Sequence, residues 1–327
     1  MNRRKHGKGF RTVLTVLAVL IALYAVFCLT CGRFFYPDFY ADATKVQTIP
    51  GLLGGFVPQG VSTDADRTFI CGYFSGDTPS CIYVLENGAS KKVNLNREDG
   101  TVYGGHAGGM TVNGEWIYIS NASKIFVLRT EDVLNAENGG TATFTGHFDV
   151  PCRASFCSSD GDVLYVGEYH ADGYETDASH VLETADGTHS AFVYAYLLNA
   201  DAPFGVDPEP ALVYSVPDKV QGFARKDGAV VLSCSAGLSP SELCVYRESG
   251  GTDGAVDHNG RSLPLVVLDS ARAIRTVRAP HMSEDLEFDG NGDLLVAFEA
   301  GTRKFGGGLL PFSIRSVMRL SGSAFAQ

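Results

Sequence analysis

The strongest constraint on the fold of this chain is an internal repeat of one β-hairpin. Five stretches share the same order: a small or polar entry, a short apolar strand, a polar turn and a second apolar strand. They are "PQGVSTDADRTFICGYF", "HAGGMTVNGEWIYISNA", "CRASFCSSDGDVLYVGEY", "VQGFARKDGAVVLSCSA" and "SEDLEFDGNGDLLVAFEA". One such unit cannot bury its apolar faces alone, so the copies must pack against one another.

Each hairpin is flanked by two further apolar runs. One follows it, as in "CIYVLENG", "SKIFVLRTE", "SAFVYAYLLN", "ELCVYRE" and "RSVMRLSG". Another precedes it, as in "TKVQTIPG", "KKVNLN", "TGHFDVP", "ALVYSVPD" and "RTVRAP". Runs rich in β-branched and aromatic residues, bounded by Gly, Asp, Asn and Ser, are typical of strands and turns. The repeating unit is therefore four strands, and such units arranged around an axis are typical of a β-propeller.

On this pattern the region from about residue 44 to residue 320 resembles the β-propeller superfamily, and it is similar to bacterial membrane-anchored propellers of uncharacterised function. We predict an all-β fold, a five-bladed β-propeller preceded by an N-terminal transmembrane helix. The ring closes if "TKVQTIPG" supplies the outer strand that the last blade lacks, which removes open sheet edges. Six blades are the alternative, because "SLPLVVLDSARAIRTVRAP" has two apolar runs where one outer strand is expected.

In a propeller the entries of the inner strands meet at one mouth of the central channel. We predict a ligand-binding site at this mouth, formed by Gln59, His106, Arg153, Gln221, Glu284 and Asp285. Calcium or another divalent cation is a candidate cofactor, because hard cations prefer carboxylate oxygens, and its predicted ligands are Glu168, Glu284 and Glu299. The alternative is that these polar groups only bond one another and trapped water.

His106 lies in the Gly-rich stretch "YGGHAGGM". A histidine can act as a general base when a partner and a substrate lie within hydrogen-bond distance. The neighbouring glycines have a simpler interpretation, namely a sharp entry into an inner strand where the blades crowd the axis. His106 is therefore a candidate by its position at the mouth rather than by a catalytic motif.

The resemblance implies two kinds of function. Five-bladed relatives include glycosidases with catalytic carboxylates on several inner strands, whereas only Glu284 and Asp285 are acidic at these entries here. Calcium-dependent lactonases of the propeller class use a Glu, Asn and Asp cluster, which Glu284, Asn121 and Asp285 match loosely. We predict a propeller that binds a small molecule or a protein partner at the mouth. A metal-dependent hydrolase of the lactonase or esterase type is the alternative.

The cysteine spacing predicts two disulfides. Cys71 and Cys81 are ten residues apart, and so are Cys234 and Cys244, and each pair flanks a turn-rich loop between two apolar runs. Disulfides of this kind form in oxidising compartments. Buried free thiols are the alternative, and the pairing of the remaining "CRASFC" cysteines stays open.

The N-terminal segment has a different composition. We predict a basic cytoplasmic tail over residues 1–11, a transmembrane anchor over 12–31, a linker over 32–43 and the propeller ectodomain over 44–327. The anchor is uncharged and about as long as a bilayer core requires. Its basic flank favours the cytoplasm, which predicts a single-pass protein of the cell membrane with its C-terminal domain outside the cytoplasm. A cleaved signal peptide is the alternative, although its apolar region is usually only about 7–15 residues long.

Charge excludes one class of partner. Six of the 26 basic residues precede Asp38 and no acidic residue does, so the rest of the chain carries 20 basic against 37 acidic residues. The resulting net charge of −17 repels phosphate backbones. We therefore predict contact with a membrane through the N-terminal helix and no binding of nucleic acid.

Overall fold

The predicted five-bladed propeller is confirmed by the sheet topology. The structure is a computed structural model and describes residues 4–248 and 250–325. Five antiparallel sheets follow one another along the chain, and each contributes one blade. Residues 1–3 of the predicted basic tail and residues 326–327 of the predicted ectodomain lie outside the described residues.

The first two blades have four strands each, and blade 1 gains a short parallel strand at its outer edge. From the axis outward, the strands of blade 1 are Phe56–Asp64, Arg67–Phe74, Cys81–Glu86, Ala89–Asn96 and Thr141–Thr143. Those of blade 2 are Gly109–Asn113, Trp116–Asn121, Lys124–Arg129 and Gly146–Asp149. A short helix, Thr130–Asn135, follows the third strand of blade 2.

The other three blades follow the same plan. Blade 3 consists of Ala154–Ser159, Val163–Glu168, Ala191–Leu197 and Leu212–Val216, with Arg261–Val267 and Gly254–His258 beyond them. Blade 4 consists of Val220–Lys226, Ala229–Cys234, Ser241–Arg247 and Ala273–Ala279. Blade 5 consists of Ser283–Phe288, Leu294–Phe298, Ser316–Leu320 and Ala43–Thr48. A small hairpin, Leu182–Thr184 with Gly187–His189, stands outside the blades.

The ring is closed by an early strand of the chain, as predicted. Ala43–Thr48 pairs antiparallel with Ser316–Leu320, so the first strand of the propeller is the outer strand of the last blade. The alternative of a sixth blade is wrong. The additional apolar run, Arg261–Val267, pairs in parallel with the outer strand of blade 3 and widens that sheet instead of starting a new one.

Tight turns join the strands of several hairpins. Asn87 with Gly88, Asp227 with Gly228, and Asn259 with Gly260 each have two successive residues at positive φ. Two-residue turns of this kind match the twist of antiparallel strands, and Asn-Gly and Asp-Gly are the dipeptides that adopt them most readily. The turn chemistry read from the sequence therefore determines where these strands reverse.

The hydrophobic core consists of five layers, one between each pair of neighbouring blades. The layers form because successive side chains of a strand point to opposite faces, and both faces of every blade are covered by a neighbour. Close to the axis there is little room for side chains. A Cβ atom on Gly109 would lie 2.5 Å from the backbone nitrogen of Cys157 in the next blade. Glycine at this entry therefore allows the inner strands of blades 2 and 3 to approach.

The two predicted disulfides are not formed, and all eight cysteines are free thiols in the structure. Cys81 is paired with Gly72, so it points to the opposite face of blade 1 from Cys71. Cys71 packs between blades 1 and 2, and Cys81 between blades 5 and 1. The spacing of ten residues predicted the hairpin but not its register.

The second cysteine pair lies on a single face of blade 4. Cys234 is paired with Glu242, which stands two residues before Cys244, so both thiols point into the layer between blades 3 and 4. They are diagonal neighbours and share a hydrogen bond rather than a covalent bond. The prediction of a disulfide is wrong for this pair as well, although the two thiols do meet.

The propeller is preceded by three helices, Arg4–Thr30, Gly32–Phe35 and Pro37–Asp42. Within the first, Gly9–Cys28 has a mean hydropathy of 2.2 and is unburied, so it is long and apolar enough to cross a membrane. The third helix packs on the propeller, where Phe39 contacts the ring of Phe298 in the layer between blades 4 and 5.

Candidate functional site

A cavity of about 680 Å³ opens at one mouth of the central channel. Its volume lies within the range of small-molecule pockets in proteins. All five blades contribute to its lining, which is mostly polar and aromatic. The lining side chains include Gln59, Tyr73, His106, Asn121, Arg153, Tyr169, Tyr174, Gln221, Glu284, Glu299, Lys304 and Phe305. Five of the six residues predicted from the repeat are therefore brought together, and whether they bind a ligand stays a prediction.

β-Bulges aim several of these side chains at the cavity. The pairing of the inner and second strands shifts register at the mouth end of blades 1, 3, 4 and 5. The residues at the shifts include Gln59, Gln221 and Glu284. A bulge leaves one residue out of the ladder and turns its side chain away from the blade faces. These residues therefore face the channel instead of packing between blades.

Two carboxyl groups, the buried Glu284 and the half-buried Glu299, lie side by side at the cavity. Glu284 comes from the inner strand of blade 5 and Glu299 from the end of its second strand, and they share a hydrogen bond. Burial raises the pKa of Glu284 well above its ordinary value, and the nearby Glu299 raises it further. Burial also raises the pKa of Glu299 to about 7. The amide nitrogen of Gln59 donates to Glu299 at 3.1 Å. The pair therefore holds at least one proton at neutral pH.

A second group of side chains lies on the wall of the cavity. The ring of His106 lies against the ring of Tyr73, with centroids 4.5 Å apart, and the ammonium group of Lys304 donates to the hydroxyl of Tyr73. Desolvation, with the positive charge of Lys304 nearby, lowers the pKa of His106 to about 4. His106 is therefore neutral at pH 7, and one of its ring nitrogens can accept a hydrogen bond.

Two cations face the cavity without a carboxylate ion pair in the described part of the chain. Arg153 lies over the ring of Tyr174, at 5.9 Å from its centroid, and Lys304 is held by Tyr73. Neither takes part in a salt bridge there. Glu299 attracts the nearby Lys304, but because Glu284 and Glu299 together hold at least one proton, they offset only part of the positive charge that Arg153 and Lys304 bring to the cavity.

The cation site predicted at Glu168, Glu284 and Glu299 is not assembled. Glu168 is 1% exposed and bonds to the ring of His180 at 2.5 Å and to the backbone nitrogen of Phe192 at 3.0 Å. It holds the loop after its own strand instead of facing the mouth. Among the described residues, no three His, Cys, Asp or Glu side chains are grouped so as to hold a metal.

Asp285 also lies outside the cavity, contrary to its predicted place at the mouth. It is fully buried and accepts a hydrogen bond from the backbone nitrogen of Met110 at 3.2 Å. Burial raises its pKa well above the ordinary value of an aspartate. It neighbours Glu284 in the same bulge, but its side chain points toward the inner strands of blades 1 and 2. Asp285 therefore joins blades rather than facing a ligand.

Deeper in the channel lies a third acidic side chain of the same strand. The carboxyl group of Glu287 accepts from the hydroxyls of Ser62 and Thr111, both at 2.6 Å, and from the backbone nitrogen of Thr63 at 3.1 Å. Burial raises its pKa to about 7 in spite of these bonds. Glu287 thus links blade 5 to blades 1 and 2 across the axis.

Sequence reasoning missed Lys304, Phe305, Tyr169 and Tyr174. They lie in the loops that join the second and third strands of blades 3 and 5, and these loops fold back over the mouth. The only signal was length, because both loops are far longer than the matching loop of blade 2. Long loops on a rigid scaffold often carry functional residues.

Comparisons with known proteins concern the fold alone. No protein-family model and no curated protein matches the sequence. The chain is similar to a solved structure described as an oxidoreductase (glucose dehydrogenase) from Thermus thermophilus, with a TM-score of 0.43, 15% identity and coverage of 85% of this chain and 99% of that one. It is also similar to a glutaminyl cyclase from Myxococcus xanthus, with a TM-score of 0.43, 11% identity and coverage of 84% and 97%.

Proposed function

We propose that this chain is a membrane-anchored, extracytoplasmic β-propeller that binds a small polar ligand with an anionic group at its mouth. The observation that carries the proposal is the cavity of about 680 Å³ to which all five blades contribute polar side chains. A pocket of this size with a few convergent polar groups is the usual form of a small-molecule site. Binding, rather than a particular reaction, accounts for this arrangement.

The two cations at the mouth select the charge of the ligand. Arg153 immediately precedes the inner strand of blade 3, and Lys304 lies in the loop between the second and third strands of blade 5. A ligand bound between them therefore meets positive charge from two sides of the cavity. A guanidinium group binds a carboxylate or a phosphate through paired hydrogen bonds. Since neither cation is neutralised by an ion pair in the described residues, a carboxylate or phosphate group is the natural partner.

The remaining lining favours a hydroxylated ligand. Gln59, Asn121 and Gln221 offer amide groups that both donate and accept hydrogen bonds, and Glu284 offers a protonated carboxyl group. The rings of Tyr169 and Tyr174 provide apolar faces beside them. A sugar acid or a phosphorylated sugar combines hydroxyls, an apolar ring face and an anionic group.

The alternative of a metal-dependent hydrolase has no support from the positions of its predicted ligands, because Glu168 bonds to His180 and Phe192 and does not lie with Glu284 and Glu299.

The N-terminal helix is the proposed membrane anchor. The apolar stretch Gly9–Cys28 has the length that a bilayer requires, and the basic residues of the tail favour the cytoplasmic side. On this proposal the propeller and its cavity lie outside the cytoplasm.

Ligand binding is tested by calorimetric titration of the full-length protein in detergent with three probes: glucuronate, inorganic phosphate and glucose. We expect glucuronate to bind more tightly than phosphate and glucose to bind weakly, because only glucuronate satisfies both the cations and the amides. Arg153→Gln is expected to weaken glucuronate binding about tenfold or more, since a hydrogen bond to a charged group contributes roughly 1.5–3 kcal/mol.

The matched control is Arg261→Gln, because Arg261 is an exposed cation far from the mouth, paired with Glu209 on blade 3. It should leave every affinity unchanged. If glucose binds as well as glucuronate, or if the two arginine variants behave alike, the proposed role of the mouth cations is wrong.

A further inference from the structure

Exposed apolar side chains gather on one face of the propeller. In the described part of the propeller, seven large apolar side chains are exposed, and six of them lie in loops at the mouth end of the strands. These six are Leu53, Val102, Tyr174, Val181, Leu238 and Leu309. The seventh, Leu197, lies at the opposite end of blade 3. Single exposed apolar side chains are common on protein surfaces, so it is the bias of these residues toward one face that indicates an interaction there.

The transmembrane helix leaves the propeller from this same face. The hydroxyl of Tyr24 donates to the carbonyl of Leu309 at 2.7 Å, and the ring of Phe27 contacts that of Phe312 at 5.9 Å. Both contacts are with the mouth loop of blade 5. Toward its N-terminus the helix meets the tip of this loop, and between Tyr24 and Gly9 it is exposed. The helix therefore projects beyond the mouth, away from the blades.

These contacts determine how deep Leu309 would lie relative to the bilayer. Tyr24 lies four residues inside the apolar stretch, which ends at Cys28. At a rise of about 1.5 Å per residue, that places Tyr24 roughly 6 Å below the end of the span. Leu309, which is 73% exposed, is bonded to Tyr24 and must lie at nearly the same level. The tip of a mouth loop thus reaches the boundary of the hydrocarbon region.

The segment after the helix has the composition of a membrane interface. Phe34 and Phe35 are exposed at 80% and 47%, and Arg33 stands beside them. Phenylalanine is typical of the apolar face of segments that lie at a membrane interface, and arginine extends its charge toward the headgroups. Arg303, next to the mouth, is exposed at the same end of the molecule.

We propose that the mouth face of the propeller rests on the surface of the bilayer that the helix crosses, with the exposed apolar residues of its loops in contact with lipid. This rests on the proposed membrane anchor. The bilayer is the occupant because the helix fixes the loop tip of blade 5 at membrane level, and the other exposed apolar residues share that face. The cavity then opens toward the headgroup region, so its ligand is presented at the membrane surface.

The test uses fluorescence of the full-length protein in nanodiscs holding one copy each, with phosphatidylcholine brominated near the headgroup end of its chains. The chain has one tryptophan, Trp116, which begins the second strand of blade 2 at the end opposite the mouth. It serves as an internal baseline and should not be quenched. Adding Leu238→Trp at the mouth is expected to give a new component whose emission drops roughly two-fold, since interfacial tryptophan lies within reach of the bromines.

Leu197→Trp is the matched control, because it replaces an exposed leucine at the opposite end of the propeller, and it should show no quenching. Tyr174→Trp repeats the measurement at blade 3 in case the first variant does not fold. Quenching of Leu197→Trp that equals that of Leu238→Trp, or none at either mouth position, overturns the proposal.

A third substitution separates this proposal from the anchor itself. Val19→Trp, in the middle of the apolar stretch, should be quenched by lipid brominated deep in the chains. If it is quenched while both mouth positions are not, the anchor stands and only the orientation of the mouth is wrong. If it is not quenched, the proposed anchor fails and this proposal fails with it.

Discussion

At the scale of the residue, the carboxyl group of Glu287 makes the stability of the propeller depend on pH. Its ordinary pKa is 4.5, which applies to the unfolded chain, whereas burial raises it to about 7 in the folded protein. Between these pH values the folded state holds a proton that the unfolded state has lost. The free energy of unfolding therefore falls as the pH rises through this range.

We predict that Glu287→Gln removes part of this dependence. His106, His189 and His281, whose pKa values are lowered by desolvation, make the folded state gain stability over the same pH range, but this contribution is the same in the native protein and in the variant and cancels in the comparison. From about pH 6.5 to about pH 8 the native protein should lose roughly 1 kcal/mol of stability through Glu287 alone. The variant should lose correspondingly less, as measured by chemical denaturation at both pH values.

Glutamine is a suitable replacement because one side-chain oxygen can still accept from Ser62 and Thr63. Its amide nitrogen can donate to the hydroxyl of Thr111, which in turn can donate to Ser159. Glu115→Gln is the control, since Glu115 is exposed and paired only with Arg129 at the surface. A pH dependence of equal size in the native protein and in Glu287→Gln would contradict the prediction.

The repeat predicts which residues lie at the mouth of the channel, but it does not predict in which direction each side chain points. The repeat predicted that Gln59, Gln221 and Glu284 lie at one mouth, and the structure places them there. It did not predict the bulges that orient these side chains. Asp285 was expected beside Glu284, but it points between blades because successive residues of a strand face opposite ways.

At the scale of the element, the register of a hairpin decides which cysteines can meet. Cys71 and Cys81 stand on neighbouring strands but on opposite faces, whereas Cys234 and Cys244 share a face of blade 4. A shift of one residue in register exchanges the two faces of a strand. Sequence spacing alone leaves that shift undetermined.

We predict that Cys244 is the first of the six propeller cysteines to react with iodoacetamide. The hydrogen bond from Cys234 lowers the pKa of Cys244, and its side chain is half-buried. Burial raises the pKa values of Cys71, Cys152 and Cys157 well above the ordinary value and that of Cys81 to about 12. Since the thiolate is the reactive form, these four should be modified slowly.

The measurement is mass spectrometry of peptides after a short reaction of the native protein. Unfolding in urea before the reaction should make all six cysteines react at similar rates, which serves as the control. Recovery of Cys71 linked to Cys81 from the native protein, or equal labelling of Cys71 and Cys244, would show that the register of blade 1 or the exposure of blade 4 is wrong.

Element prediction depended on the alternation of apolar and polar residues. The inner hairpins were identified because every copy has the same alternation and the same turn chemistry. The hairpin Gly254–His258 with Arg261–Val267 was not placed, because it joins blade 3 in parallel at an open edge. The unpaired backbone groups of an edge strand can pair with many different strands. The sequence of the added strand therefore does not indicate to which blade it pairs.

At the scale of the whole molecule, the strand Ala43–Thr48 connects the N-terminal helices to the closure of the ring. It completes blade 5, whose inner strands pack against blades 4 and 1. Loosening this strand exposes the edge of Ser316–Leu320, and with it the layers on both sides of blade 5. Closure therefore contributes to the stability of the entire propeller.

We predict that Thr44→Pro lowers the Tm of the whole propeller. Thr44 is paired with Arg319 and lies two residues after Asp42, whose carbonyl accepts from the backbone nitrogen of Ser321, so the backbone N–H of Thr44 also faces the partner strand. Proline removes this donor and disfavours a strand interior. A loss of about 1–3 kcal/mol corresponds to a drop in Tm of roughly 3–8 °C, as measured by scanning calorimetry. Because the layers share blades, the transition should stay single.

Thr44→Ala is the matched control, because it removes the same exposed side chain but keeps the backbone donor, and its Tm should stay close to that of the native protein. A low-temperature transition of small enthalpy in Thr44→Pro, with the main transition unchanged, would show that the closing strand frays independently of the ring.

The closing strand also has a consequence for the order of folding during synthesis. Thr44 bonds to Arg319, a residue 275 positions later in the chain. The strand Ala43–Thr48 is synthesised first, and it stays unpaired until all five inner hairpins and its partner strand Ser316–Leu320 have been synthesised. Contacts of such long sequence separation form slowly, and an unpaired edge is open to pairing with other chains in the meantime. A helix already inserted in the bilayer would hold the waiting strand beside its own chain, and so reduce the encounters that lead to aggregation.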